Sequence, residues 1–224
     1  MNQQNKLPKY KFYGTLLDAF TWYLKSEKDE AFQEFLDKIN RAPFSSEAAD
    51  KGTAFNELVD SCTLELKQFG ALTFQDNTIS HNGFEFPSDL VGEYAMQFEN
   101  AVPQVYVEKI IETKYGPVLL YGYVDELELF KVYDIKTTKQ YDFGKYINNW
   151  QHKVYLYCLK DTGIDTFQYM VTDFEHIYKE EYVWRDAYEL DLRLIAEQLI
   201  CFLEDNRGLI TDKKVFAKEE AIAL

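Results

Sequence analysis

The chain has 224 residues, of which 46% are hydrophobic, and its formal net charge is −14 at pH 7. This length and apolar content exclude a largely disordered chain and fit one domain with a continuous core. The acidic balance argues against a nucleic-acid partner unless lysines gather at one site, because DNA affinity rests largely on positive side chains.

Several features indicate a cytoplasmic protein. No apolar run reaches the length that crosses a bilayer, and residues 1–6 lack the apolar segment of a signal peptide. The three cysteines, Cys62, Cys158 and Cys201, include no Cys-x-x-Cys pair. We therefore expect reduced thiols, and too few of them to hold an iron–sulfur cluster.

The first part of the chain is predicted to be helical. Residues 13–39 carry apolar side chains near helical spacing, interrupted by a charged turn at 25–30, and would form a helical lid on a sheet. The loop 41–46 ends in serines, one of which would cap a helix over about 47–68.

A hairpin and a further helix are predicted next. Residues 71–86 alternate enough for a hairpin that turns either at 76–77 or at 81–83. The Pro-Ser-Asp sequence that follows would cap a helix over about 87–100.

The second half of the chain alternates between predicted strands and helices. The predicted strands are 105–113, 118–125, 130–136, 165–174 and 177–184, and the predicted helices are 145–160 and 186–205. These elements predict one α/β domain over 1–210, with a mixed β-sheet flanked by helices. The tail at 211–224 is weakly patterned and is predicted to be mobile or to dock on a partner.

Two carboxylates and a lysine converge in this predicted sheet. Asp134 and Lys136 are two residues apart on a strand, so their side chains share one face while Ile135 points into a core. Asp125 ends the preceding strand, and antiparallel pairing would bring it beside Asp134. An isolated Asp-x-Lys is more often an ordinary ion pair. The second carboxylate, and the close backbone approach that Gly122 permits, favour a functional site.

These residue types suit the hydrolysis of a phosphodiester. The carboxylates of Asp125 and Asp134 and the backbone carbonyl of Ile135 are oxygen ligands that suit Mg²⁺ or Mn²⁺. A pair of such ions can activate water and neutralise the leaving oxygen. Lys136 would place a positive charge beside the attacking water and the scissile phosphate. The pattern predicts a metal-dependent phosphodiesterase.

The chain contains three short motifs in the order Gly122-x-x-Asp125, Asp134-x-Lys136 and Gln151-x-x-x-Tyr155. Together they resemble the PD-(D/E)XK nuclease superfamily, and within it the RecB-like and phage-exonuclease branch. The resemblance implies a restriction-endonuclease-like fold, with Mg²⁺ or Mn²⁺ bound by Asp125 and Asp134 and with Lys136 as the catalytic lysine. It also implies that Gln151 and Tyr155, at i and i+4 on one helix face, contact DNA or order the site.

A further motif departs from the family pattern. Gly52 is followed by Asn56 at the spacing at which the branch has a glycine and a metal-binding histidine. An amide oxygen can ligate a hard cation although it is uncharged, so Asn56 is a predicted ligand. Asp60, one helical turn later, could also reach a metal. The alternative is that Asn56 packs or caps and Asp60 is solvated.

We therefore expect a metal-dependent deoxyribonuclease, and the resemblance implies a phage or mobile-element exonuclease in recombination or DNA processing. Its partner would be DNA, which would bind near a cluster of lysines at Lys136, Lys139, Lys145 and Lys153. A second copy of the same chain or a recombination protein would be a further partner. The alternative is a non-catalytic nucleic-acid or protein-interaction module on a decayed nuclease fold, which Asn56 and the acidic surface motivate. RNA or a small phosphate ester as the substrate also stays open.

Overall fold

The structure is a computed structural model, and it describes residues 7–217. Its strands and helices in chain order are β1 Tyr10–Tyr13, α1 Gly14–Lys25, α2 Ala31–Ile39, α3 Glu47–Phe69, β2 Thr78–His81, β3 Phe84–Pro87, α4 Ser88–Gln97, β4 Val102–Thr113, β5 Gly116–Leu127, β6 Lys131–Thr137, α5 Gln151–Leu159, β7 Thr166–Thr172, β8 Ile177–Val183 and α6 Ala187–Asp205. Two 3₁₀ helices follow at Arg207–Leu209 and Lys213–Val215. None of the described helices is long and apolar enough to cross a membrane.

Six strands form one mixed sheet. The order is β1-β5-β6-β7-β8, and β4 pairs with the other edge of β5. β1 pairs with β5 in parallel, as β6 does with β7, whereas the β4–β5, β5–β6 and β7–β8 pairs are antiparallel. β2 and β3 form a separate hairpin.

Helices pack on both faces of this sheet. One apolar cluster joins α1, α2, α5 and α6 to buried strand residues such as Phe12 and Leu120. A second cluster joins α3, α4 and the β2–β3 hairpin to Tyr133 and Ile135 of β6. The predicted restriction-endonuclease-like arrangement, a mixed sheet flanked by helices in a single domain, is confirmed.

Two local predictions follow the expected chemistry. The side chain of Ser46 accepts a hydrogen bond from the N–H of Ala49 at 3.2 Å and so caps α3. The β2–β3 hairpin turns at Asn82-Gly83, the later of the two predicted positions. Both residues have positive φ, 48° and 83°, which is the conformation that favours Asn-Gly in a two-residue turn.

The helix predicted over 145–160 begins later, at the start of α5. The N–H of Trp150 donates to Asp18 Oδ1 at 2.6 Å, and the N–H of Tyr146 donates to Glu180 Oε2 at 3.3 Å. Asp18 therefore satisfies the N–H of Trp150, which a longer helix would have bonded to the carbonyl of Tyr146, and Glu180 binds the N–H at the point where that helix would have begun. Side-chain spacing alone cannot reveal such partners.

The described end of the chain docks on β1. Val215 and Phe216 are buried, and Phe216 forms an antiparallel bridge with Tyr10. Residues 211–217 of the tail predicted at 211–224 thus include a segment that packs on the chain's own sheet, and residues 218–224 lie outside the described part of the chain.

Candidate active site

The candidate site lies where two strands share one edge of β5. That edge pairs with β1 at residues 118–121 and with β6 at 126–127, while β4 occupies the opposite edge. Residues 122–125 lie between these two pairings, and a cleft of about 550 Å³ opens there. Seven of the predicted site residues line this cleft, namely Asn56, Asp125, Asp134, Ile135, Lys136, Gln151 and Tyr155.

Asp125 and Asp134 form an acidic pair in the cleft, in which Asp134 is buried and Asp125 is partly buried. Asp125 Oδ2 accepts a hydrogen bond from the N–H of Ile135 at 2.9 Å, and Asp134 is 1% exposed. Burial, and then the neighbouring Asp134 carboxylate, raise the pKa of Asp125 to about 8. Burial also raises the pKa of Asp134, although Lys136 opposes this rise. Two carboxyl groups held together away from water favour binding of a proton or a cation.

Lys136 places a positively charged side chain beside this acidic pair. Its Nζ lies 2.5 Å from Asp134 Oδ2. Burial acts to lower the pKa of Lys136, but the carboxylates of Asp134 and Asp125 outweigh it and raise the pKa above its ordinary value. When both acids are ionised, a single lysine leaves this group of three with a net negative charge, which suits a divalent cation.

Two side chains of α5 hold the acidic pair and β5 in place. The amide nitrogen of Gln151 donates to Asp134 Oδ1, and the Tyr155 hydroxyl donates to the carbonyl of Tyr123 at 2.7 Å. Gln151 and Tyr155 are both only 6% exposed. Among the described residues Gln151 Oε1 has no hydrogen-bond partner, so it can still accept from a ligand. Contact of these two residues with substrate stays a prediction.

Gly122 is needed because α5 packs directly on β5. A Cβ at this position would overlap the Tyr155 ring, with its phenol oxygen only 3.0 Å away. The close approach that the motif predicted is therefore between the backbone of β5 and the Tyr155 ring. The hydroxyl of the same side chain donates the hydrogen bond to β5.

Gly122→Ala is expected to lower the Tm by several degrees. Overpacking of this kind costs about 1–3 kcal/mol, and about 1 kcal/mol shifts the Tm by roughly 2–4 °C in a chain of this size. Gly208→Ala is the matched control, because no heavy atom lies within 4 Å of a Cβ there. Calorimetry of both variants gives the comparison. Equal Tm values would show that Tyr155 does not pack on Gly122.

Asp18 of α1 supports the site and was missed by the sequence analysis. It accepts from the N–H of Trp150, at the start of α5, and burial raises its pKa to about 6. Gly14 lies at the same contact, since a Cβ there would be 2.6 Å from Cα of Gln151. α1 therefore fixes the end of α5 that carries Gln151. No periodicity or motif links Asp18 to a helix so far along the chain.

α3 brings Asn56 to the cleft. Its Oδ1 is buried and has no hydrogen-bond partner within the described chain. Gly52 lets α3 approach the end of β6, because a Cβ there would lie 2.7 Å from Thr137 Oγ1.

Asp60, the other predicted ligand on α3, does not line the cleft and instead adjoins Glu126. Glu126 is fully buried, and burial followed by the Asp60 charge raises its pKa to about 8.

The donor atoms at the cleft fit a hard divalent cation. Within residues 7–217 no group of three or more His, Cys, Asp or Glu side chains is placed to hold a metal. A ligand set would therefore combine the carboxylates of Asp125 and Asp134 with neutral oxygens. The partnerless amide oxygen of Asn56 and the backbone of Ile135, both at the cleft, supply these.

The positive side chains that line the cleft differ from the lysine cluster predicted from the sequence. Of those lysines only Lys136 lines the cleft, and Lys153, for example, pairs with Asp191 of α6 at 3.1 Å. Arg41, which the sequence analysis did not single out, lines the cleft as well.

Comparison with known proteins supports the fold alone. No protein-family model and no curated protein sequence matches the chain. The protein SSO0001 is similar in structure, with a TM-score of 0.52 and 14% identity over 89% of this chain and 79% of that one. A candidate exonuclease from Eubacterium rectale has a TM-score of 0.51 and 13% identity, covering 90% of this chain and 83% of its own.

Proposed function

We propose that the protein is a metal-dependent deoxyribonuclease that hydrolyses DNA phosphodiester bonds, with exonuclease action favoured over endonuclease action. One observation carries the proposal. At the divergence of β5 and β6, the buried carboxylate of Asp134, the partly buried carboxylate of Asp125 and a charged lysine meet beside the unpartnered amide oxygen of Asn56. This combination is what a cation-assisted attack of water on a phosphodiester requires.

Asp125 and Asp134 would hold Mg²⁺ or Mn²⁺, with Asn56 Oδ1 and the backbone carbonyl of Ile135 as neutral ligands. When bound, such ions lower the pKa of a water molecule and neutralise charge on the leaving oxygen. Asp134 is kept in place for this task by Gln151, which donates to its Oδ1. The acidic ligands are thus oriented before the cation arrives.

Lys136 acts on the substrate rather than on the cation. Its ammonium group remains protonated because the neighbouring carboxylates raise its pKa. Once cations neutralise those carboxylates, the same ammonium is available to a phosphate oxygen or to the attacking water. Gln151 would contact the substrate through its free Oε1, and Tyr155 would keep β5 in position.

Two further considerations support this assignment. The three sequence motifs resemble the PD-(D/E)XK superfamily, and their residues meet in one cleft. The chain has the same fold as a candidate exonuclease. The RecB-like and phage-exonuclease resemblance extends the proposal to a phage or mobile-element enzyme of recombination or DNA processing.

The proposal predicts that the purified protein degrades linear DNA in Mg²⁺ or Mn²⁺ and loses this activity in EDTA. Linear DNA and closed circular DNA of the same sequence should be compared by gel electrophoresis over a time course. Loss of the linear form alone supports exonuclease action, and nicking of the circle supports endonuclease action. DNA binding without any metal-dependent cleavage would contradict the proposal and favour the non-catalytic module.

A further inference from the structure

A row of tyrosines crosses the sheet next to the cleft. Tyr13 of β1 lies opposite Tyr121 of β5, and Tyr123 of β5 lies opposite Tyr106 of β4, so all four side chains project from one face. The ring centroids are 5.7 Å apart for Tyr13–Tyr121, 6.2 Å for Tyr121–Tyr106 and 5.1 Å for Tyr106–Tyr123. We call these four residues the tyrosine row.

The tyrosine row lies on the face of β5 opposite to the one that carries the first apolar cluster, although Tyr13 also packs against that cluster. Leu120 and Val124, on the opposite face, are completely buried under helices. Tyr106 and Tyr123, in contrast, are 45% and 57% exposed. Adjoining aromatic rings left in solvent on rigid paired strands contribute little to folding and are typical of a binding surface.

Positive side chains border the tyrosine row. Lys11, Arg41 and Lys214 line a groove together with Tyr106 and Tyr121, and no acidic side chain from the described residues lines it. Arg41 and Tyr121 also line the candidate active-site cleft, so the groove leads into the cleft. This local charge has the sign opposite to the net charge of −14 and is complementary to phosphate groups.

The acids near the groove are already engaged. Asp212 pairs with Arg41 at 3.1 Å, and Glu108 accepts a hydrogen bond from the Tyr106 hydroxyl at 2.6 Å. Both contacts orient groups of the groove, and neither places a free carboxylate along it. The groove therefore combines exposed aromatic rings with positive charge.

We propose that the tyrosine row and its groove bind single-stranded DNA and guide a strand end into the cleft, an inference that rests on the proposed nuclease function. Unpaired bases can stack on the rings while Lys11, Arg41 and Lys214 bind the backbone phosphates. A duplex keeps its base faces stacked inside and offers only phosphates to such a surface. The ligand is therefore a single strand, and the rings select it against the duplex.

Binding is tested in EDTA, where metal-dependent cleavage cannot interfere, by the fluorescence anisotropy of a labelled oligothymidine. Tyr106→Leu and Tyr123→Leu are each expected to weaken binding about fivefold or more, the size that loss of one base–aromatic stack produces. Tyr115→Leu is the matched control. Tyr115 is 42% exposed but lies on the β4–β5 turn against Cys201 of α6, so its loss should leave binding unchanged.

The positively charged side chains of the groove are tested separately, through the salt dependence of DNA binding. Lys11→Gln and Lys214→Gln should each reduce the slope of log affinity against log salt concentration by about 0.7, because each lysine displaces one counterion from single-stranded DNA. Lys25→Gln, at an exposed position of α1 that lines neither the groove nor the cleft, should leave the slope unchanged.

The outcomes separate the two proposals. Folded Tyr106→Leu and Tyr123→Leu variants that bind oligothymidine like the wild type, alongside intact metal-dependent cleavage, would refute the tyrosine row alone. Tyrosine-dependent binding without any cleavage by the wild type would refute only the nuclease function. Equal wild-type affinity for duplex and oligothymidine would overturn the single-strand assignment. No binding by the wild type would overturn it too, and would leave the row to a protein partner.

Discussion

Asparagine in place of Asp134 is expected to abolish metal-dependent cleavage of DNA, with a loss of at least about a thousandfold. The substitution removes one negative charge from the acidic pair and changes side-chain volume very little. Asp134 is almost fully buried and lies between Gln151 and Lys136. The measurements are cleavage rates in Mg²⁺ and Mn²⁺ and calorimetric titration of each cation.

Asp165→Asn is the matched control for Asp134→Asn. Asp165 is exposed and directly precedes β7, away from the cleft, so this variant should cleave and bind cations normally. If Asp134→Asn kept full activity, the Asp134–Lys136 contact would have to be interpreted as an ordinary ion pair.

The pH dependence of stability in EDTA tests Asp125, the other carboxylate of the acidic pair. The pKa of Asp125 rises from 3.8 to about 8 on folding. Stability contributed by this group is therefore present below about pH 3.8 and lost as the pH rises through 8. In EDTA, Asp125→Asn should be at least as stable as the wild type at pH 9, and this advantage should shrink towards pH 5. A marked loss of Tm at pH 9 would mean that Asp125 is needed for folding.

Lys136→Ala is expected to lose cleavage by about a hundredfold to a thousandfold while keeping divalent-cation binding. The ammonium group lies 2.5 Å from Asp134 Oδ2, so its removal leaves a buried carboxylate without its counter-charge. The variant should consequently have a lower Tm than the wild type in EDTA. Mn²⁺ should restore stability, and its stabilising shift should be larger in the variant.

Lys139→Ala is the control for Lys136→Ala. Lys139 is exposed, follows β6 and does not line the cleft, so its removal should change neither cleavage nor cation binding. If Lys136→Ala lost cation binding together with cleavage, Lys136 would hold the acidic pair together and would not act on the substrate.

The parts of the site that are close in sequence were predictable. Asp125, Asp134 and Lys136 lie on two consecutive strands, and a period of two along a strand together with antiparallel pairing places them side by side. Gln151 and Tyr155 follow on one helix, where a spacing of four residues defines a face. Local geometry was enough for these residues.

The remaining parts depend on long-range pairing that no local pattern encodes. β1 has only four residues, so its alternation was too short to be distinguished from the start of the following helix. Asp18 reaches α5, and Tyr13 joins Tyr121, only because β1 runs beside β5. Arg41 approaches the cleft from a loop, where periodicity carries no information.

The position of β1 has a consequence for the order in which the chain folds. Tyr10 pairs with Val118, so α1 through β4 lies between the two partners, whereas β4, β5 and β6 are joined by short turns. Contacts that close a long loop form later than those between neighbouring hairpins. Asp125 and Asp134 should therefore meet early, and the wall of the cleft that β1 provides should be added late. That wall is also the part that can open locally while the β4–β5–β6 hairpins stay folded.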